Sequence, residues 1–276
     1  MDKRRPSRRA GGRRARRGIF ILPSVLTVGN ILAGYASIIA AEHGDFKRAA
    51  VLLILAAVLD NLDGRVARLT NTTTEFGVQF DSLADLVSFG IAPSFLIYRW
   101  GMLPLGRLGW IASFLFVICG AMRLARFNIQ RVTDKRYFVG LPIPAAALVV
   151  ATLVFRHPEP VADATFAIAV LVLVLTLSGL MVSRLRYLAF KSLDAGRGRH
   201  SFLAVGLLAL ILAAIVINPQ VVLLVLALVY TISGLTPRRT FAWIFGRRRA
   251  AAGRAEGPEN DPWAGDVEGR HASRRP

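Results

Sequence analysis

Eight apolar runs divide this chain, at approximately residues 19–41, 46–67, 81–99, 108–125, 141–156, 162–183, 201–217 and 220–236. About 20 apolar residues in a helix cross a hydrocarbon core of roughly 30 Å. The fifth, seventh and eighth runs are short, so tilt or local bilayer thinning is expected there. Backbone amides inside a bilayer have no water to bond with, which leaves helices as the form such runs take. The chain therefore reads as an all-α polytopic membrane protein with about eight transmembrane helices. Its composition agrees, with 54% hydrophobic and only 19% charged residues, against about 25% charged in soluble domains.

A net charge of +18 raises the question of nucleic acid as a partner. The Lys and Arg residues do not form one face of a soluble domain. They lie in two tails and in short segments between apolar runs, which suits the anionic cytoplasmic leaflet and argues against a nucleic-acid partner. Summed over alternate connections, 30 basic residues fall on one side and 5 on the other. That split puts both termini in the cytoplasm and requires an even number of spans. The expected organisation is a basic, disordered tail over 1–18, a membrane-embedded domain over 19–236 and a second basic, disordered tail over 237–276, the tails docking on anionic lipid. The Arg-rich segment 3–17 precedes an apolar run, as in a signal peptide. That run is long and more spans follow, so it reads as a retained first membrane helix with no separate targeting segment. The expected location is the cell membrane, with several passes.

Polar groups buried near a bilayer are costly and are functional candidates by default. Asp60 and Asp63 lie at i, i+3 near the end of the second run, and Asp81 and Asp85 at i, i+4 near the start of the third. Those spacings put each pair on one helix face. About a dozen residues join the two helices, so the acidic faces can meet. Four facing carboxylates repel unless neutralised, and hard oxygen ligands suit Mg²⁺, Mn²⁺ or Ca²⁺ rather than zinc. Neither Cys119 nor any of His43, His157, His200 and His271 has ligand spacing to another such residue. Gly64 and Ala67 add small steps to the Asp60 face, where a nucleotide can approach the backbone. Arg68 is a permanent cation suited to a phosphate, and Gly77 stands where a chain entering the third helix can turn.

The pattern Asp60-x2-Asp63-Gly64-x2-Ala67-Arg68-x8-Gly77-x3-Asp81-x3-Asp85 resembles the full signature of the CDP-alcohol phosphatidyltransferase family, with eight positions matching at the expected spacing. The resemblance implies a membrane enzyme, a homodimer with a six-helix catalytic core and here two additional helices. It implies a pair of divalent metal ions, Mg²⁺ or Mn²⁺, held by Asp60, Asp63, Asp81 and Asp85, with Asp85 also the general base. It further implies that Gly64, Ala67, Arg68, Thr74 and Gly77 meet a CDP-lipid, CDP-diacylglycerol, and that Thr27 and Asn30 line the same site from the first helix.

The family transfers phosphatidyl groups to several alcohols, so the acceptor must be read elsewhere. Residues 122–128 (Met-Arg-Leu-Ala-Arg-Phe-Asn) and 140–147 (Gly-Leu-Pro-Ile-Pro-Ala-Ala-Ala) resemble the phosphatidylserine synthase branch, as do residues 183–191, with less specificity. L-serine is therefore the expected acceptor. Arg123, Arg126 and Lys191 are candidates for its carboxylate, and Asn128 for either polar group. The same cations would serve glycerol 3-phosphate or inositol phosphate, and as basic residues they also suit positive-inside anchoring. A cation transporter is the alternative from another class; against it, the aspartates sit near one membrane face and no inverted repeat is visible.

The charge split makes a direct prediction. A cysteine introduced near Ala251 should react in intact cells with a membrane-permeant maleimide and not with an impermeant one. Labelling by the impermeant reagent would contradict the orientation.

Overall fold

Each apolar run is helical in the computed structural model, which describes residues 12–70, 74–129, 137–188 and 201–234. The first run lies in α1 (Gly12–Glu42) and the second in α2 (Phe46–Thr70). The third is one long span, Glu75–Leu105. The next helices are α5 (Arg107–Ile129), α6 (Ile143–Arg156), α7 (Ala164–Val182), α8 (Ser201–Ile217) and α9 (Pro219–Ser233). The eight expected helices are all present. Glu75–Leu105, Arg107–Ile129, Ala164–Val182 and the Ser24–Glu42 part of α1 are long and apolar enough to cross a membrane, whereas Ile143–Arg156 and Pro219–Ser233 are apolar but shorter.

Two boundaries differ from the sequence reading. Helix α1 begins inside the segment read as a disordered tail, where Arg and Ala, both good helix formers, lead into the apolar run. The third span starts at Glu75 rather than near Asp81, because Thr74 caps it. The Thr74 hydroxyl oxygen accepts from the Gly77 N–H at 3.0 Å, in the manner of an N-cap. The span is composite. After α3 (Glu75–Asp85) it widens into a π-helical turn over Leu86–Ile91, where the Ala92 N–H bonds to the Val87 carbonyl five residues back. Helix α4 (Ala92–Ile97), a second π turn (Tyr98–Met102) and a 3₁₀ turn (Leu103–Leu105) complete it. Pro93 has no N–H to give the preceding turn, so the widened turn falls where a regular hydrogen bond is missing anyway.

Small residues set the central packing. Ala33, Ala40 and Ala41 of α1 and Ala49, Ala50, Ala56 and Ala57 of α2 are all buried, which lets the two backbones approach closely. The Ser37 hydroxyl donates to the Ala49 carbonyl across this seam at 2.8 Å. Helix α6 packs on α2 and α9, and α5 packs on α7. The outward faces are apolar, including Val25, Val28, Leu32 and Ile39 on α1 and Leu108, Ile111, Phe114 and Ile118 on α5. An apolar exterior around a polar-containing interior is what a lipid environment selects. At one end Arg99 clamps the bundle, its Nε 3.4 Å from Glu42 Oε2 and its Nη2 donating to the Glu42 carbonyl at 3.1 Å.

At the other end two connections are pinned together by the short strands β1 (Tyr137–Val139) and β2 (Arg186–Leu188), which pair antiparallel with Phe138 opposite Tyr187. The Gly140 N–H donates to the Leu185 carbonyl at 2.7 Å and the Leu141 N–H to the Leu180 carbonyl at 3.0 Å. Gly140 has φ +82°, and a Cβ there would collide with the Met181 carbonyl.

Gly44 has a similar φ of +78° but open space around it. Gly44→Ala should therefore cost only the left-handed backbone preference, about 1 kcal/mol. Gly140→Ala adds the steric collision and should cost roughly 2–3 kcal/mol or more. Melting of the detergent-solubilised variants checks this order; equal losses would show that the pinned connection carries no load.

Candidate functional site

The carboxylates gather at the end of the bundle that holds the β1–β2 pairing. Carboxylate oxygens of Asp60, Asp63 and Asp81 lie within 4.8 Å of one another. Asp85 is not part of that group of three, but its carboxyl meets that of Asp60 at hydrogen-bonding range. Asp63 is 4% exposed, and the Oδ1 atoms of Asp81 and Asp85 are buried without a hydrogen-bond partner. Buried, unpaired carboxylate oxygens are expensive, and three within one small sphere are the donor set of a hard divalent cation. The triad can hold such an ion.

Helix α1 supplies the support. The Thr27 hydroxyl donates to Asp63 Oδ2 at 3.0 Å, a contact to a charged group worth roughly 1.5–3 kcal/mol. Asn30, one turn further on, is fully buried, and neither its Nδ2 nor its Oδ1 has a partner. Its carbonyl accepts from the Ser88 hydroxyl at 3.0 Å. Ser88 lies in the π turn that follows Asp85, and Gly34 leaves room for it; a Cβ at Gly34 would come 2.5 Å from the Ser88 Oγ. Helix α1 therefore fixes both acidic helices, one through Asp63 and the other just past Asp85.

The remaining expected site residues divide by what they touch. Gly64 is half-buried, and its N–H bonds to the Asp63 carboxylate. Ala67 and Arg68 lie in the last turns of α2, with side chains outside the described residues. The Thr74 hydroxyl is engaged in capping α3. Gly77 is not at a turn, as the sequence suggested, but in the first helical turn, where a Cβ would press on the Thr74 Oγ1 at 3.1 Å. Arg123 is brought to the cluster by α5: it is buried and faces Asp85, and its Nε has no partner. Arg126 is half-buried one turn later. Asn128 is exposed and tied to α3, its Nδ2 donating to the Ser82 Oγ at 3.0 Å. Lys191 lies outside the described residues.

Two tyrosines went unnoticed in the sequence. Tyr230 of α9 lies close enough to Arg123 for the two to interact electrostatically. Tyr187 of β2 packs beside Tyr230, with ring centroids 5.9 Å apart; its phenol is buried, which pushes it up from its ordinary pKa. No motif or spacing marks either one.

The fold and site together define a helical membrane protein with a carboxylate cluster able to hold a divalent cation at one end of its bundle. The profile of CDP-alcohol phosphatidyltransferases matches residues 20–178. This chain belongs to the CDP-alcohol phosphatidyltransferase family. It is 39% identical over 229 residues, covering 82% of this chain and 92% of the relative, to a Helicobacter pylori protein named CDP-diacylglycerol–serine O-phosphatidyltransferase. A Mycobacterium leprae protein of the same name is 36% identical over 76% of this chain and 72% of its own. An archaetidylserine synthase of Methanothermobacter thermautotrophicus is 36% identical over 60% of this chain and 69% of its own.

A cation held by the triad stabilises the fold by mass action. Mn²⁺ should raise the melting temperature of the wild type and have little effect on Asp63→Asn. Thr27→Val, which removes only the supporting hydroxyl, should require about ten-fold more Mn²⁺ for the same shift. Identical Mn²⁺ titrations for the three proteins would exclude the cluster as the binding site.

Proposed function

We propose that this chain transfers the phosphatidyl group of CDP-diacylglycerol to L-serine, giving phosphatidylserine and CMP with a divalent metal. The observation that carries the reading is the convergence of Asp60, Asp63 and Asp81 within 4.8 Å, with Asp85 and Arg123 alongside, in a bundle whose exterior is apolar. Serine is favoured because it is common to the names of the relatives.

In this reading Asp60, Asp63, Asp81 and Asp85 hold Mg²⁺ or Mn²⁺, as a pair. When bound, the metal neutralises the donor pyrophosphate and stabilises charge on the departing CMP. Gly64 and Ala67 let the nucleotide approach α2, and Arg68 answers a phosphate. Thr27, Asn30, Thr74 and Gly77 shape the same wall, Thr27 and Thr74 through the bonds they make to Asp63 and to the α3 N-terminus. The acyl chains remain in lipid.

The unpartnered Oδ1 of Asp85 takes the proton of the serine hydroxyl as that oxygen attacks the lipid-side phosphorus. The bond from this phosphorus to the CMP oxygen breaks, and CMP leaves with the electron pair. Arg123, buried with a free Nε, receives the acceptor carboxylate. Arg126 and Lys191 add positive charge, and Asn128, through Ser82, ties α5 to the helix carrying Asp85. The 30-to-5 charge split supports a cytoplasm-facing site in the cell membrane, with both termini on that side and the basic tails on anionic lipid. Family membership supports a homodimer.

Purified protein given CDP-diacylglycerol, Mn²⁺ and labelled L-serine should release CMP in step with label entering a chloroform-soluble product. Asp85→Asn should lower kcat by about a hundred-fold or more while changing the donor KM far less. Turnover with glycerol 3-phosphate and none with serine would overturn the acceptor; near-normal turnover of Asp85→Asn would overturn the base.

A further inference from the structure

Arg123 stands close to Asp85 without pairing with it. Each is buried and each keeps a polar atom with no partner, Nε on Arg123 and Oδ1 on Asp85. Among the described residues the only ion pair within 4.0 Å is Arg99–Glu42, at the other end of the bundle. A guanidinium beside a carboxylate would ordinarily close into a bidentate pair. Here that closure would occupy the oxygen that takes the proton and the cation that meets the acceptor. Something must hold the guanidinium back.

Two aromatic groups lie near it. The Phe127 ring, one turn later on α5, lies under the guanidinium with its centroid 5.7 Å from Cζ, within the range of a cation–π contact. Tyr230 approaches from α9. Tyr230 is in turn fixed by Tyr187, whose ring lies 5.9 Å away at an angle of 33°. Tyr187 is fully buried and belongs to the strand that pins the two connections together. Gly234, just past the end of α9, provides the space, since a Cβ there would fall on the Tyr187 ring.

We propose that Tyr230, backed by Tyr187 and Gly234, is a positioning residue that holds Arg123 apart from Asp85 and presents it to the carboxylate of the acceptor. The α8–α9 hairpin then completes the acceptor half of the site, a deduction that rests on the serine-transfer reading above. Tyr230 acts through Arg123 and need not touch substrate.

The test is a steady-state comparison of purified wild type, Tyr230→Phe, Arg123→Gln and the double variant, with serine and CDP-diacylglycerol varied separately. Tyr230→Phe keeps the ring and the packing, so its melting temperature should match the wild type. Its serine KM should rise about ten-fold with the donor KM within about two-fold. In the Arg123→Gln background the same substitution should add less than about two-fold, because both changes act on one group. Gly234→Ala, which displaces Tyr187, should shift serine KM in the same direction. An unchanged serine KM in Tyr230→Phe, a parallel rise in both KM values, or full multiplication of the two effects would overturn the proposal. Absence of serine-dependent CMP release from the wild type would instead sink the serine-transfer reading, and this proposal with it.

Discussion

Repulsion among carboxylates drawn to one end of an apolar bundle is the constraint around which this molecule is arranged. Two unit charges at 4.8 Å repel by roughly 3 kcal/mol at an effective dielectric constant of about 20. Three such pairs among Asp60, Asp63 and Asp81 approach 10 kcal/mol, comparable to the whole stability of a typical domain. The scaffold must therefore hold the charges in place, and it does so through packing and hydrogen bonds. The alanine seam brings α1 against α2, and this contact places Thr27 where its hydroxyl can meet Asp63. The same helix holds the third span through Asn30 and Ser88. A cation held there would turn the repulsion into attraction, and the unpaired oxygens of Asp81 and Asp85 would offer it ligands.

The third span shows how backbone irregularity serves this end. Asp81 and Asp85 lie four apart on the regular helix α3, so both face α2. The π turn begins immediately after Asp85 and carries Ser88 against α1. Pro93 makes a regular helix costly at this point, and the widened turn removes the conflict. Sequence, backbone and site agree here: a helix-breaking residue is placed so that its correction falls just beyond the acidic pair.

Much of this was legible in the sequence because it is local or repetitive. Apolar runs, charge alternation and the i, i+3 and i, i+4 spacing of the aspartates are all one-dimensional patterns, and they gave eight helices and the acidic pairs. The start of the third helix was missed because Thr74 reads equally well as a loop hydroxyl and as a cap, and the extent of the apolar run favoured a later start. Gly77 read as a hinge for the same reason, while its small size in fact keeps it clear of the Thr74 cap. The β1–β2 pairing involves three-residue strands almost 50 positions apart, below what alternation can signal. Tyr187 and Tyr230 were invisible because their meaning depends on tertiary neighbours; nothing in the α9 sequence distinguishes a tyrosine against lipid from one against Arg123.

Charge accounting joins the site to its acceptor. In the proposed reaction Arg123 stands beside Asp85 as a buried cation on the acceptor side of the site. It is the only buried arginine among the described residues. A buried cation is costly unless it is paired, so a carboxylate arriving beside Arg123 is favoured. Serine brings one carboxylate to this arginine, and its ammonium places a positive charge beside the acidic cluster. A phosphorylated alcohol brings nearly two negative charges and no ammonium, and would meet more repulsion from the carboxylates of Asp60 and Asp85. The serine zwitterion then suits a pocket with a cation on one side and carboxylates on the other, which is why holding Arg123 apart from Asp85 matters: once the two close on each other, the acceptor carboxylate loses its partner.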